Sequence, residues 1–416
     1  MNLWNETKSV PVSRSMIWES YKKVRSNQGS SGVDNLSLDE FEAQRSKHLY
    51  KLWNRMASGS YFPPPVKEVE IPKKDGKVRK LGIPTISDRV AQMVVKDYLE
   101  ARFEKIFSPH SYGYRPNKNA HQAIAKVREN SRKQDWVIDL DIKGFFDSID
   151  HSKLMSALEK HITEKWCLMY IQRWLTTPVQ TSSGKLLHKQ GKGTPQGGVI
   201  SPLLANLFLH YAMDKWLEQN HPTVKYVRYA DDAILHCKSK QQAEYVLERL
   251  NERMQQCGLE LHPQKTKLVY CKDYRRQENY PMVKFDFLGY SFQPRSTKSK
   301  KTGKMFLGFD CAISISSKKR ITEKMKELNI TYLKHRNIVG VAKFLEPYIR
   351  GWVNYYGKYR LSEMNPIFQS LRNRLVQWAR KRYKRYRTSI QRAYNWLNRT
   401  REQFPALFYH WKLGYW

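Results

Sequence analysis

Acidic residues are scarce in this chain relative to basic ones. Only 38 Asp and Glu stand against 74 Lys and Arg in 416 residues, which leaves a net charge of +36 at pH 7. Such an excess calls for an anionic partner, and a phosphate backbone is the commonest one because each neutralised phosphate releases condensed counterions. Hydrophobic residues still make up 40% and aromatic residues 13% of the chain. The composition therefore excludes a disordered polycation and favours a globular protein.

Long apolar runs are also missing. No stretch of 18 or more apolar residues occurs, and residues 1–15 lack the apolar core of a signal peptide. Because membrane spans and secretory leaders need such runs, we expect a soluble, cytoplasmic protein with no membrane partner. Cysteine is rare, and the five cysteines form no C-x-x-C pair. This spacing predicts reduced structural thiols and argues against a zinc site or a redox couple.

The order of sequence patterns predicts an α+β fold. Residues 16–294 alternate helical patterns with short β-type runs. The polar, basic stretch 295–304 lacks periodicity and predicts a loop or linker. Beyond it the pattern predicts helices over residues 318–328, 338–358, 365–386 and about 390–401.

The third of these helices has an apolar face and a cationic back. Its end is crowded with positive charge at Arg380, Lys381, Arg382, Lys384 and Arg385. Aromatic residues are interleaved with these cations, namely Trp378, Tyr383, Tyr386, Tyr394 and Trp396. A solvated helical face is the plain alternative, whereas cations combined with stacking rings favour binding of RNA or single-stranded DNA.

A pair of adjacent aspartates is the sharpest local signal. Asp231 and Asp232 lie between two β-prone runs in residues 226–236, which predicts a hairpin with the acidic pair at its tip. Adjacent carboxylates repel each other unless they share a cation. The run 136–147 supplies a further acid, because strand alternation places Asp139 and Asp141 on one face. Both remain candidates on geometry alone.

Nucleotidyl transfer gives such acids a function. Two Mg²⁺ ions about 3.5–4 Å apart can activate a primer 3′ hydroxyl and stabilise the leaving pyrophosphate. Aspartate oxygens are ligands that suit Mg²⁺. The carboxylates therefore predict a polymerase site.

Blocks along the chain, taken in order, resemble the reverse transcriptase/maturase proteins that bacterial group II introns encode, and the compact, endonuclease-lacking subgroup fits best. These blocks together cover roughly residues 16–294 and are Asn27–Asp34, Glu70–Pro84, Ser111–Ile124, the aspartate strand, Gly193–Asn206, the Tyr-Ala-Asp-Asp hairpin, Gly258–Lys267 and Phe285–Phe292. Tyr348–Tyr356 also resembles the family.

The resemblance implies a right-hand polymerase with an antiparallel palm sheet and an all-helical thumb. It places fingers, palm and N-terminal extension in residues 1–294, a linker in 295–309, the thumb or maturase domain in 310–370 and a basic helical segment in 371–416. It also implies an RNA-directed DNA polymerase that takes dNTPs, copies an RNA template from a DNA primer or target, and binds structured group II intron RNA to assist splicing and mobility. The oligomeric state is not predicted.

The resemblance also assigns residues. Asp141, Asp231 and Asp232 match the catalytic, metal-binding triad, which favours Asp141 over Asp139. The positions that match the nucleotide site are Lys73, Arg79 and Lys265 as cations for the phosphates, Phe146 as the aromatic steric gate and Gln196 in the pocket. The positions that match nucleic-acid contacts are Arg115 in the fingers and Leu288, Gly289 and Tyr290 in the primer grip.

Plain alternatives exist for several of these residues. Lys73 and Arg79 could belong to an ordinary charged hairpin, Phe146 to the core and Lys265 to a solvated surface. The glycines and prolines around Gln196 could serve as turn residues only.

The chain departs from many relatives at its end, where no Cys/His cluster precedes Trp416, so we expect no zinc-dependent nuclease. Two other functions stay open: a domesticated reverse transcriptase in phage defence, repair or spacer acquisition, and an RNA-binding maturase whose polymerase is vestigial. The retained triad, gate and phosphate cations argue against the second.

Overall fold

The structure is a computed structural model that describes residues 8–72, 78–298, 302–334 and 337–416. It mixes helices with antiparallel strands, which confirms the α+β prediction. The elements in chain order are α1 Arg14–Ser26, α2 Leu38–Ala43, α3 Arg45–Ala57, β1 Val66–Pro72, β2 Val78–Ile83, α4 Ile86–Ile106, α5 Ala120–Lys133, β3 Trp136–Leu140, α6 Phe145–Ser148, α7 His151–Glu159, α8 Lys165–Thr176, β4 Val179–Gln180, β5 Leu186–Leu187, α9 Ser201–Leu209, a π-helical turn His210–Asp214, α10 Lys215–Asn220, β6 Lys225–Tyr229, β7 Asp232–Cys237, α11 Lys240–Gln256, β8 Lys267–Tyr270, β9 Phe285–Phe287, β10 Tyr290–Lys298, β11 Met305–Ile313, α12 Ile315–Glu327, α13 Ile338–Tyr356, α14 Asn365–Arg382, α15 Ile390–Gln403 and α16 Tyr409–Lys412.

The chain divides into two compact units. Unit 1 comprises residues 1–123 and 138–267, and unit 2 comprises residues 124–137 and 268–416. Each unit has its own buried core.

Local sequence signals fix the N-terminal helices of unit 1. Helix α1 begins after Ser13, whose hydroxyl accepts a hydrogen bond from the Met16 amide, and it buries Ile17, Tyr21 and Val24 at helical spacing. Helix α2 begins with a capping box in which Ser37 and Glu40 satisfy each other's backbone amides. Such caps and apolar stripes specify helix starts and buried faces.

Two sheets frame the site. One has the strand order β6-β7-β3-β8, in which β6 and β7 form an antiparallel hairpin. The other, in unit 1, has the order β2-β1-β4-β5, with β1 antiparallel to β2 and parallel to β4. Strand β3 is apolar except at Asp139, as expected for a strand covered on both faces.

Unit 2 contains strands where the sequence predicted a linker. β10 and β11 pair antiparallel over nine residues each, from Tyr290–Ile313 to Lys298–Met305. The predicted loop at 295–304 is therefore wrong for residues 295–298, and residues 299–301 lie outside the described ranges. The part of β10 at residues 295–298 is polar, basic and half-buried or exposed, so it shows no apolar alternation by which a strand is recognised.

The helices of unit 2 share one core. A single hydrophobic cluster runs from Ile313 to Trp411 and includes buried residues on both sides of residue 370. Helices α12 to α15 confirm the four predicted helices to within a few residues, except that α14 ends at Arg382 and a 3-10 turn follows at Lys384–Tyr386. The functional division at residue 370 stays a prediction.

All five cysteines are buried free thiols, Cys167, Cys237 and Cys257 in unit 1 and Cys271 and Cys311 in unit 2. Within the described ranges, no helix combines the length and apolar character needed to cross a bilayer.

Candidate active site

The acidic pair lies at the tip of the β6–β7 hairpin, as predicted. Tyr229 pairs with Asp232, so the turn consists of Ala230 and Asp231 alone. Ala230 has a φ of +58°, whereas Asp231 does not have positive φ. Positive φ at the first central residue only is the pattern of a type II′ turn, a position that ordinarily takes glycine. The turn therefore places the two carboxylates directly after a residue with a strained backbone.

Asp141 follows strand β3 directly and is held by its backbone. The Asp141 carbonyl accepts from the His262 amide at 2.8 Å, and the Asp141 amide donates to Thr266 Oγ1 at 3.3 Å. The same segment brings Lys265 Nζ to 3.7 Å from Asp141 Oδ2, with both side chains part-exposed. Asp141 is thus fixed in position by the loop before β8, and its carboxylate faces a cation across the cleft.

The three carboxylates interact electrostatically. Burial, together with the negative charges of Asp231 and Asp141, raises the pKa of Asp232 to about 7. Burial also raises the pKa of Asp231, an effect that the positive charge of Arg79 opposes. Asp232 is nevertheless exposed to solvent. A carboxylate can be open to solvent on one side while protein atoms on its other sides displace part of its hydration. The site is one of unfavourable negative charge that a cation would relieve.

Among the described residues, no three His, Cys, Asp or Glu side chains lie close enough together to hold a metal ion as they stand. Like charges without a cation between them repel each other, and Asp141 is directed toward Lys265. The donor chemistry nevertheless fits Mg²⁺, since the groups that interact here are carboxylates.

A cleft of about 550 Å³ lies beside these acids. It brings together most of the predicted nucleotide site, and its lining includes Asp141, Asp231, Arg79, Phe146, Gln196 and Lys265. Asp139 does not line the cleft and is half-buried within β3. Lys73 lies outside the described residues, so its predicted role has no structural account.

The two adjacent phenylalanines separate as expected. Phe145 is buried in the core, whereas the half-buried Phe146 lines the cleft at the first turn of α6. The carbonyl of Phe146 accepts from the Thr194 amide at 2.8 Å, which ties α6 to the loop that carries Gln196.

Close backbone packing fixes the Gln196 loop. The Gln196 carbonyl accepts from the Gly82 amide at 2.7 Å. Gly197 has a φ of +118°, and a Cβ there would lie 2.5 Å from the Gly82 carbonyl oxygen. Glycine at 197 is therefore needed for both conformation and space, which goes beyond the plain turn chemistry considered from sequence.

The predicted template contact at Arg115 is wrong. Its side chain is buried, and its guanidinium donates to both carboxylate oxygens of Glu104 and to the carbonyls of Ser108 and Ser111 at 2.6–3.1 Å. A guanidinium with its donors consumed in this way stabilises the loop and is not available to a nucleic-acid backbone.

The predicted primer grip in unit 2 is partly wrong. Leu288 and Gly289 form the β9–β10 turn, both with positive φ. Tyr290 is fully buried, and its hydroxyl donates to the Tyr355 carbonyl, so its side chain is a core residue. Only the turn at 288–289 remains a candidate for nucleic-acid contact.

The basic segment keeps its cations at the surface, whereas its rings are buried or partly buried. Lys381, Arg382, Lys384 and Arg385 are exposed, and Arg380 is half-buried. Trp378 and Tyr386 are buried, and Tyr383, Tyr394 and Trp396 pack against the core of unit 2. Stacking by Trp378 and Tyr386 is therefore excluded, whereas Tyr383, Tyr394 and Trp396 keep part of their surface exposed. A stacking role for those three rings, and nucleic-acid binding by the cations, stay predictions.

Two residues next to the hairpin tip escaped sequence analysis. Tyr114 lines the cleft with an exposed ring, and burial together with the charge of Asp231 raises the pKa of its hydroxyl. Gly113 packs so closely that a Cβ would lie 2.3 Å from the Ala230 amide nitrogen. Their position in a Tyr-Gly-Tyr-Arg-Pro block was visible, but nothing in the sequence linked that block to the hairpin.

The hairpin presents adjacent aspartates that interact electrostatically with a third one beside a cleft, an arrangement that suits nucleotidyl transfer. Comparison with known families agrees. Residues 71–292, more than half of the chain, match the family model for reverse transcriptase (RNA-dependent DNA polymerase). The chain therefore belongs to the reverse transcriptase family, whose chemistry is nucleotidyl transfer that generally depends on Mg²⁺.

A second family model identifies the helical part. Residues 318–396 match the group II intron maturase-specific domain, which implies intron RNA as a partner.

Curated relatives extend the match. The chain is 27% identical to the group II intron-encoded protein LtrA of Lactococcus lactis subsp. cremoris, over 82% of this chain and 68% of that protein. It is 31% identical to protein YkfC of Escherichia coli strain K12, over 58% of this chain and 73% of that protein. Among solved structures, truncated apo telomerase from Candida tropicalis matches with a TM-score of 0.46 at 15% identity, over 60% of this chain and 55% of the other. The chain is thus a reverse transcriptase with a maturase domain, related to intron-encoded proteins.

Proposed function

We propose that this reverse transcriptase extends a DNA primer on an RNA template at the cleft beside Asp141, Asp231 and Asp232, and that these three residues hold its Mg²⁺ ions. The observation that carries the proposal is the mutual electrostatic penalty at the hairpin tip, where burial and neighbouring negative charge raise the pKa of Asp232 to about 7. When bound there, Mg²⁺ would activate the primer 3′ hydroxyl and stabilise the pyrophosphate leaving group.

The remaining cleft residues supply binding and selection. Arg79 and Lys265 face the cleft with long cationic side chains that suit a triphosphate. The ring of Phe146 would occupy the space of a ribose 2′ hydroxyl and so exclude ribonucleotides by steric clash. Gln196 and the backbone beside it would line the nucleotide pocket.

The polymerase assignment is tested by primer extension on RNA with Asp231→Ala and Asp232→Ala. Each substitution should lower the rate by a factor of roughly a thousand or more, since it removes stabilisation of the reacting charges. Asp286→Ala is the matched control, because Asp286 is an exposed carboxylate on hairpin strand β9. If either cleft variant extended primers at the parental rate, the assignment would be wrong.

The steric gate is tested by Phe146→Ala with Phe146→Tyr as control. The preference for dNTP over NTP should fall by roughly tenfold or more in the alanine variant, and it should persist in the tyrosine variant, which keeps the ring. An unchanged preference in Phe146→Ala would place the gate elsewhere.

We further infer that exposed cations at the end of α14 and the following turn bind intron RNA. Support comes from four exposed cations within residues 381–385 and from the maturase-specific match over 318–396. Phosphate contacts by such residues add affinity that falls steeply with salt.

The inference is tested by replacing Arg380, Lys381, Arg382, Lys384 and Arg385 with Gln. RNA affinity should fall and its salt dependence should flatten, by about 0.7–0.9 in the log–log slope per lost phosphate contact. The control removes equal charge from exposed positions around α10 and α11 in unit 1, namely Lys215, Lys225, Lys238, Lys240 and Arg249. Equal RNA affinity and salt slope in both variants would refute a specific role for the α14 cations.

A further inference from the structure

A buried polar network lies directly beneath the acidic turn. Its centre is Arg228, which is fully buried and donates from Nε to Asp214 Oδ1 at 2.9 Å, with a second bond from Nη2 to Asp214 Oδ2. Asp214 is also fully buried. A buried ion pair of this kind adds little net stability, because the cost of desolvating both charges offsets their attraction. Its presence in a core therefore needs a further reason.

The remaining arm of Arg228 reaches the turn. Nη1 donates to the Ala230 carbonyl at 3.0 Å and to Asn206 Oδ1 at 2.8 Å. Asn206 is buried as well, and its Nδ2 donates to the Gly113 carbonyl at 2.8 Å. Gly113 in turn packs against the Ala230 amide nitrogen. The network thus holds Ala230 from its carbonyl through Arg228 and from its amide side through Gly113.

Ala230 needs such support. Its φ of +58° is costly for any residue with a Cβ, and a type II′ turn ordinarily places glycine there. The bond from Arg228 fixes the Ala230 carbonyl in the orientation that the left-handed conformation requires.

We propose that Arg228 is a positioning residue for the polymerase site. Its guanidinium, held by Asp214 and Asn206, locks Ala230 in its left-handed conformation and so fixes where the Asp231 and Asp232 carboxylates point. Arg228 touches neither substrate nor metal in this role. The role rests on the proposed function, because it matters only if the two carboxylates bind divalent cations.

The first measurement is direct binding of Mn²⁺, a paramagnetic probe, to the full chain without nucleic acid, together with the melting temperature. Arg228→Lys keeps a positive charge beside Asp214 but loses the arm that reaches Ala230. Its dissociation constant for Mn²⁺ should rise about tenfold, the cost of an unsupported left-handed residue. The melting temperature should fall as well, which by itself would indicate only a structural role.

Rescue separates positioning from stability. Glycine adopts positive φ without penalty, so adding Ala230→Gly to Arg228→Lys should restore most of the Mn²⁺ affinity while the melting temperature stays low. If the double variant binds Mn²⁺ no better than Arg228→Lys alone, the positioning role is overturned.

Unit 2 offers a matched control. Arg276 is also buried, pairs with Asp273 through Nη2, and donates from Nη1 to the Ser131 and Gln134 carbonyls. Arg276→Lys should therefore lower the melting temperature to a similar extent and leave Mn²⁺ affinity unchanged. A comparable loss of Mn²⁺ affinity in this control would also overturn the role of Arg228.

A gentler variant covers the case in which Arg228→Lys does not fold. Asn206→Ala leaves the Arg228–Asp214 pair intact but removes the link to Gly113. Mn²⁺ affinity should weaken less than in Arg228→Lys and should again recover with Ala230→Gly; parental affinity in Asn206→Ala would count against the network.

Failure of this role is distinguishable from failure of the proposed function. If parent Mn²⁺ binding does not depend on Asp231 and Asp232, the metal site itself is wrong. If it does depend on them and Arg228→Lys binds like the parent, only the positioning role fails.

Discussion

Two hairpin turns of this molecule adopt positive φ with different residues and different support. The β9–β10 turn of unit 2 uses glycine, and the hydroxyls of Tyr355 and Ser317 donate to its two carbonyls. The β6–β7 turn of unit 1 uses an alanine at positive φ, and a buried guanidinium holds its carbonyl. The first places glycine at one of its two positive-φ positions, with Leu288 at the other, whereas the second has no glycine at all. Local strain of this kind persists where the surrounding structure enforces it, and it collects at functional sites.

The largest effect should come from Gly113→Ala, which disturbs the β6–β7 turn that the surrounding structure holds in place. The new Cβ would lie 2.3 Å from the Ala230 amide nitrogen, and backbone cannot move aside as a side chain can. We expect a loss of roughly 3 kcal/mol in the free energy of unfolding and loss of primer extension. Chemical denaturation and single-turnover extension measure the two effects. A variant that kept parental stability would mean that the turn is not packed as described.

A smaller loss should follow from Gly289→Ala in the glycine-based turn. The new methyl group would meet Ser317 Oγ at 2.9 Å, and alanine would have to adopt a φ of +81°. The left-handed conformation costs about 1–2 kcal/mol, and a side-chain hydroxyl can shift to relieve the contact. Denaturant unfolding should therefore report a loss of about 2 kcal/mol. A loss as large as that of Gly113→Ala would remove the distinction between the two turns.

The smallest effect should be a gain in stability, from Asp232→Asn. The folded pKa of about 7 lies above the ordinary aspartate value, so ionised Asp232 destabilises the fold. That penalty is absent below about pH 4, grows as the pH rises to about 7 and is constant above. Because Asp232 is partly open to solvent, the melting temperature of the variant should exceed that of the parent by only about 1–2 °C at pH 8.

The control for that gain is Asp286→Asn on β9, which should leave the melting temperature unchanged at pH 4 and at pH 8. The gain of Asp232→Asn should vanish at pH 4 and shrink at pH 8 when Mg²⁺ is added, since a cation relieves the same repulsion. A gain that does not depend on pH would contradict the electrostatic explanation.

Short-range patterns predicted much of this molecule. Asp231 and Asp232 at a hairpin tip follow from two flanking β-type runs, and the core helices of unit 2 follow from apolar periodicity. These features depend on neighbours in sequence, which is why a pattern can predict them.

The errors arose where partners are distant in sequence. Arg115 looked like a nucleic-acid contact because its burial against Glu104 and two carbonyls leaves no local trace. The strand at 295–298 was missed because its stability comes from pairing with β11. Trp378 and Tyr386 are buried in the core of unit 2, although their spacing among cations is equally compatible with a stacking surface.

The buried polar network beneath the acidic turn is visible as a pattern in the sequence. Asn206, His210 and Asp214 recur every four residues in an otherwise apolar segment, and polar residues on a buried helix face need partners. Arg228, two residues before Ala230, is the natural partner. The π-helical turn at His210–Asp214, which adds a residue to the helical repeat, could not be predicted from that spacing.

Burial of every cysteine should make the folded chain unreactive toward thiol reagents. Because burial raises the pKa of all five thiols, alkylating reagents should react only after the chain opens. Cys167, Cys237 and Cys257 would then report the opening of unit 1, and Cys271 and Cys311 that of unit 2. Time-resolved labelling followed by mass analysis could thus time the loss of each unit in the unmodified protein, with no introduced probe.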